Sequence, residues 1–300
     1  MQIQYYKTAW GDIKNSKGWF GKLCLLALVG FIPIFGAIVQ YGYLYGWARE
    51  AAWGVREPMP QRLFGNEDGK LYRRGWFVFV VVFVFSLIPS IVIGIGSGAQ
   101  QYAFYSNAAN DFSSVGVMSP VGSLLYYIGL VLGLLMSILA WIGSMRVVIY
   151  DRLSPGFQFG KIWKMFRHDT GGIMRIFGMN LLVSFIVGLV ISIIVMVLFS
   201  GTIITAVSAM ASSGYDMQSL QYMNDAEATA FALQFMSSAG IVGLLSMLVG
   251  GFAISLGSVF AMTLVARALG YWAAQFDVPR WRGQDDPMPF ELQNGQPYRQ

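Results

Sequence analysis

The chain has one cysteine, one histidine and few charges, and two long stretches hold no basic residue at all. A single thiol, Cys24, excludes a disulfide framework, a CxxC pair and a cysteine zinc site. The lone histidine, His168, and the lack of any acid inside the apolar segments argue against an intramembrane metal site or proton relay. No cofactor motif such as GxxxxGK[ST] occurs. Charged residues are 12% of the chain, against about 25% in a soluble domain. Trp76–Met145 has no Lys or Arg and one acid, Asp111. Ile176–Ala266 has none either, and three acids: Asp216, Asp225 and Glu227. Such stretches cannot solvate a globular surface; they suit a chain that crosses a bilayer and returns.

What is present supports that reading: 56% hydrophobic residues, 15% aromatic, and a mean hydropathy of +0.56. Four spans are expected, at 76–96, 123–144, 176–200 and 238–266. Each must be helical, because a segment alone in lipid has to satisfy its own peptide groups. All 20 basic residues fall outside them. Sixteen lie in Ala48–Gly75, Arg146–Arg175 and the segment after Ala266; the loops Ser97–Gly122 and Gly201–Ser237 have none. The asymmetry predicts a multi-pass protein of the inner (plasma) membrane with a cytoplasmic carboxy-terminus. Cytoplasmic basic residues point to anionic lipid head groups as partners and away from nucleic acid.

The other four, Lys7, Lys14, Lys17 and Lys22, precede Leu23–Ala48, 26 residues without charge. A single tilted span would leave these lysines outside. A hairpin turning at Ile32-Pro33-Ile34-Phe35-Gly36 would keep them inside, its arms of about 12 residues reaching about 18 Å. The hairpin is preferred, with a cytoplasmic N-terminus, and the kinked span stays open. Residues 1–18 read as an interfacial helix. Residues 1–275 form one membrane domain, and 276–300 a cytoplasmic tail. The fold class is all-α and polytopic: a broken N-terminal membrane helix or re-entrant hairpin, four spans, and cytoplasmic amphipathic connectors.

An arginine followed four residues later by an aromatic recurs at three span ends: Arg49/Trp53, Arg146/Tyr150 and Arg267/Tyr271. Prolines follow at Pro58, Pro155 and Pro279. The first two arginines are 97 residues apart, suggesting a parallel internal duplication. Arg49, Arg146 and Arg267 are read as cytoplasmic interface anchors.

Lys17-Gly18-Trp19-Phe20-Gly21-Lys22, Ile32-Pro33-Ile34-Phe35-Gly36, Gly42-Tyr43-Leu44, Pro58-Met59-Pro60 and Gly69-Lys70-Leu71-Tyr72-Arg73-Arg74-Gly75 occur in that order. In these the chain resembles an uncharacterised prokaryotic integral-membrane family, domain of unknown function 4013, over about residues 5–275. The resemblance implies a membrane fold and brings no catalytic residue.

Within the apolar segments Gln40 and Asn180 are the polar candidates, either for a substrate contact or for a hydrogen bond between helices. Pro33 and Gly36 mark the helix break, Pro89 a second interruption, and Gly94-Ile95-Gly96-Ser97-Gly98 a helix end. His168 beside Asp169 is expected to be a solvated pair, and residues 225–233 a short outer-surface helix. No catalytic set emerges, so the expectation is a non-enzymatic protein. Two functional classes stay open: a transport-type or carrier-associated protein, and a scaffold, bilayer-shaping protein or complex subunit. A homo-oligomer is open as well.

Overall fold

A computed structural model describes residues 4–65, 69–110, 119–213 and 240–292, with isolated positions 226, 229, 230 and 233. Among the described residues there is no strand. The helices are α1 (Tyr5–Asn15), α2 (Trp19–Val29), α3 (Phe35–Ala52), α4 (Leu71–Asn110), α5 (Pro120–Tyr150), α6 (Phe159–His168), α7 (Thr170–Ser213), α8 (Ile241–Ala274) and the single turn α9 (Pro289–Leu292). The loop around Asp111 and residues 214–239 lie almost entirely outside the described residues, including most of the expected 225–233 helix.

Helices α4, α5, α7 and α8 are each long and apolar enough to cross a bilayer. They outrun the apolar segments expected from sequence because their aromatic and small-residue flanks continue the same helix. Two expected interruptions in α4 are not there. The helix is continuous through Pro89, as membrane helices tolerate proline. It also runs through Gly94–Gly98. A side chain at Gly96 would come within 2.5 Å of the Tyr126 amide nitrogen and 2.8 Å of the Gly122 carbonyl of α5. Glycine there serves close helix approach and not termination.

Side by side, the helices run α5, α4, α3, α8, α7, with α1 and α2 laid against α8. They form three antiparallel pairs in chain order, α2–α3, α4–α5 and α7–α8. Each second helix carries the Arg-x3-aromatic pattern near its end. The repeat is therefore best described as a hairpin occurring three times, the first much shorter.

Packing is concentrated at the end of the bundle where these arginines lie. Trp47, Trp272, Arg146, Arg267, Tyr43 and Phe276 are among its largest fully buried side chains. In contrast, the most apolar stretch of α7 has no buried residue. The molecule joins a basic end packed like a soluble core to apolar helices whose outer faces await lipid.

The 23–48 segment folds back on itself. Leu26 and Gln40 are 14 residues apart, yet Gln40 Nε2 donates to the Leu26 carbonyl at 2.9 Å. A continuous helix would separate them by about 21 Å. At the open end, Lys22 Nζ donates to the Met59 carbonyl beyond α3, at 2.8 Å. Both arms thus begin and finish at the basic end.

Candidate functional site

The turn of the hairpin has a local cause. Pro33 cannot donate a backbone hydrogen bond, and α2 stops at Val29. The Phe35 amide donates to the Pro33 carbonyl at 2.6 Å, closing a three-residue γ-turn. Its centre, Ile34, has φ +62° and ψ −58°, a strained conformation for a β-branched residue. Gly36 then passes so close to α2 that a Cβ would lie 2.2 Å from the Val29 carbonyl. Phe31, Ile32, Ile34 and Phe35 remain exposed at the tip, the composition expected of a loop that ends in hydrocarbon.

Gln40 and Ser255 complete the turn. Because the Phe31 amide turns to the Leu28 carbonyl, the Ala27 carbonyl is left to the Ser255 hydroxyl of α8, at 2.9 Å. Gln40 reinforces Leu26 as described above, so its side chain ties two helices together. Asn180 lies half-buried on α7. The structure does not bring it together with Gln40 in a hydrogen bond.

Four neighbouring elements converge on the Glu57–Pro60 backbone. Prolines at 58 and 60 supply no N–H, so this segment cannot join a helix or sheet ladder. Instead, Trp47 Nε1 donates to the Glu57 carbonyl at 3.0 Å, and the Met59 amide donates to Ser16 Oγ at 2.8 Å. Tyr43 OH donates to the Pro60 carbonyl at 2.7 Å, and Lys22 holds Met59. A polar cavity of about 550 Å³ lies under this loop, lined by Gly46, Arg49, Glu50, Arg62, Gly65 and Arg74 among others.

Two of the three arginines read from sequence as interface anchors sit differently from that expectation. Arg146 and Arg267 are fully buried, so they grip chain segments and not head groups. In all three repeats the arginine does lie over the aromatic ring one turn on, at 5.6 Å for Arg49/Trp53, 5.4 Å for Arg146/Tyr150 and 5.2 Å for Arg267/Tyr271. Spacing of four residues stacks the two side chains on one helix face. Arg267 then directs its Nε to Asp12 at 2.7 Å, Nη1 to the Trp47 carbonyl at 2.8 Å and Nη2 to the Glu57 carbonyl at 3.2 Å. Tyr271 OH also donates to Asp12. This one guanidinium ties α8 to α1, to α3 and to the proline loop.

Arg146 does the equivalent for the connector and tail. Its Nε donates to the Pro155 carbonyl at 3.1 Å and Nη2 to the Gln284 carbonyl at 3.4 Å. Gln158 Oε1 and the thioethers of Met165 and Met288 complete the shell. A third knot forms where α5 ends: Asp151, left-handed at φ +53°, accepts from Arg74 Nε at 2.7 Å and from Lys70 at 3.1 Å. Burial pushes the Asp151 carboxyl up, but the hydrogen bonds from Arg74 and Lys70 outweigh it and hold the pKa below its ordinary value.

His168 and Asp169 take separate structural roles. His168 stacks on Phe290 at 4.2 Å and lies 5.6 Å from Phe276. Asp169 caps α7 by accepting from the Gly172 amide at 2.8 Å, and it also accepts from Trp272 Nε1 and Gln275 Nε2. Among the described residues no group of three or more His, Cys, Asp or Glu is placed to hold a metal.

Comparison with known families bears on residues 25–199, which match a family model described as a protein of unknown function, DUF4013. The chain belongs to this family. No curated protein and no solved structure matches it. The DUF4013 match is narrower than the likeness over 5–275 read from motifs: it runs from the first hairpin through α4, α5 and most of α7. It includes Arg49, Arg74, Arg146 and Asp151, and it leaves α1, α8, Arg267 and the tail outside. With its four long apolar helices, the chain is an integral-membrane protein of unknown activity.

Proposed function

We propose that this protein is a non-enzymatic scaffold of the inner (plasma) membrane that anchors and shapes the cytoplasmic leaflet. The basic end and both termini face the cytoplasm, where anionic head groups, a second copy or a membrane-complex partner would meet it. The observation carrying this reading is the α2–α3 hairpin. Helix α2 has 11 residues, about 16 Å of helix, roughly half of a 30 Å hydrocarbon core. A wedge of that depth displaces lipid in one leaflet only. Gln40 of the hairpin and Ser255 of α8 both donate to carbonyls at the end of α2.

Reconstitution into liposomes at rising protein-to-lipid ratio tests the reading. Wild-type protein reduces vesicle diameter or produces tubules, and Gly36→Leu, which forces the hairpin arms apart, loses this effect while still inserting. Unchanged vesicle size at every ratio with wild-type protein contradicts it. A carrier-type role is the second reading, favoured by the broken helix at Pro33, since broken membrane helices can present backbone groups to a ligand. Solute counterflow into the same liposomes would select it.

A further inference from the structure

Helix α6 presents a second face that the packing of the bundle does not use. Ile162 and Met165 point inward and are fully buried. Phe159 and Trp163, one turn apart, are 56% and 50% exposed. Phe159 leans on Phe85 of the apolar helix α4 at 5.4 Å, and Trp163 stacks on Phe166 at 5.2 Å. Phe159 and Trp163 thus give α6 an apolar outer flank beside the membrane-spanning helix α4.

On the other flank of α6, two ammonium groups converge on one carboxylate. Glu291 of the tail lies 3.0 Å from Lys164 Nζ and 3.8 Å from Lys161 Nζ. Lys161 also donates to the Asp286 carbonyl at 2.8 Å. Burial pushes the Glu291 carboxyl up, but the hydrogen bonds from Lys164 and the Met288 amide, with Lys161 nearby, hold its pKa below the ordinary value. Gln158, at the start of α6, binds Asp285 at 2.7 Å. The tail thus lays an acidic strip over the cationic side of an amphipathic helix.

Two lysines on one flank and half-exposed aromatics on the other make α6 the kind of helix that lies at a phospholipid surface, with cations for the phosphodiesters and rings beside the first methylenes. A soluble phosphate would have no use for Phe159 and Trp163. We propose that Lys161 and Lys164 form a binding site for the head group of an anionic phospholipid, and that Glu291 occupies this site when such lipid is absent. The tail and the lipid compete for the same two cations, so tail docking reports the charge of the leaflet. This rests on the reading that the basic end faces the cytoplasmic leaflet.

The test uses full-length protein in nanodiscs, with a nitroxide at Pro287→Cys in a Cys24→Ser background. Phosphatidylglycerol increases the mobile fraction of the label, and phosphatidylcholine alone does not. Glu291→Gln reaches the same mobility at about threefold less phosphatidylglycerol, the size expected of a partly exposed ion pair. In the K161Q/K164Q variant the label no longer responds to phosphatidylglycerol. The same variant holds spin-labelled phosphatidylglycerol at least about fivefold more weakly than wild type, since each surface lysine contributes roughly that factor. An immobile tail in phosphatidylglycerol, an equal response to neutral lipid, or undiminished lipid retention by K161Q/K164Q overturns the proposal. Release by inorganic phosphate in neutral lipid overturns it in favour of a soluble anion. Sidedness labelling of the same protein in intact cells separates the two levels: if the basic end is on the wrong side the membrane reading fails, and otherwise only this site does.

Discussion

Asp12 and Arg267 stand 255 residues apart in sequence and meet in a 2.7 Å ion pair at the basic end. The arginine is fully buried and the aspartate side chain 19% exposed. The pair fixes α1 against the last long helix, while Arg146 fixes the tail against the second hairpin. Equivalent positions in two repeats each hold one end of the described chain.

Removing the carboxylate leaves a buried guanidinium with two backbone carbonyls and no counter-charge. Asp12→Ala is expected to cost about 3 kcal/mol, seen as a lower thermal midpoint in detergent by tryptophan fluorescence. Arg267→Lys is expected to be nearly as harmful, because an ammonium cannot reach three acceptors lying in three directions. A midpoint unchanged by either substitution contradicts the assigned role.

The γ-turn makes an unusual prediction at Ile34. Glycine tolerates positive φ without steric cost, so Ile34→Gly is expected to stabilise the hairpin by about 1 kcal/mol. Gly36→Ala acts the other way, since its Cβ would collide with the Val29 carbonyl. Comparing the two midpoints under identical detergent conditions checks the sign of each effect.

Much of this architecture was legible from charge and hydropathy. The two cation-free stretches locate all four long helices, since only lipid permits so many apolar residues with no cation to solvate them. The Pro33/Gly36 break marks the hairpin because proline and glycine change backbone chemistry locally. The burial of Arg146 and Arg267 was not legible. An arginine at a span end reads as an interfacial anchor unless its acceptors are known, and these are backbone carbonyls of distant loops. Asp12 offered a faint signal as the only acid before Glu50, set among lysines. Gly94–Gly98 misled because glycine both ends helices and lets them touch.

Close approach of α4 and α5 predicts a strong effect at Gly96. Gly96→Leu would drive a side chain into the Tyr126 backbone and is expected to destabilise by about 2–3 kcal/mol. Gly94→Leu, where a Cβ meets nothing within 4 Å, is expected to be neutral. Detergent-solubilised thermal unfolding of the pair distinguishes packing from helix propensity, because both substitutions remove a glycine.

Acid should loosen the basic end through Asp151. Its folded pKa lies below the unfolded one, so its contribution is fully present above the ordinary aspartate value. That contribution is lost as pH falls through the lower, folded value. Asp151→Asn is expected to be less stable than wild type at neutral pH by about 1–2 kcal/mol, with the difference closing in acid. Parallel pH profiles for the two proteins would contradict the assignment.

Sidedness labelling is the most direct test of the central claim, that every cation sits at one membrane face because the first apolar segment turns back. Lys14 is exposed on α1 and suits a cysteine, whereas its neighbour Asp12 holds Arg267. In a Cys24→Ser background, Lys14→Cys and Asp111→Cys are treated in intact cells with a membrane-impermeant maleimide. The account predicts labelling at position 111 and none at position 14 until the cells are opened. Labelling of both from outside would make residues 23–48 a full span and contradict the account.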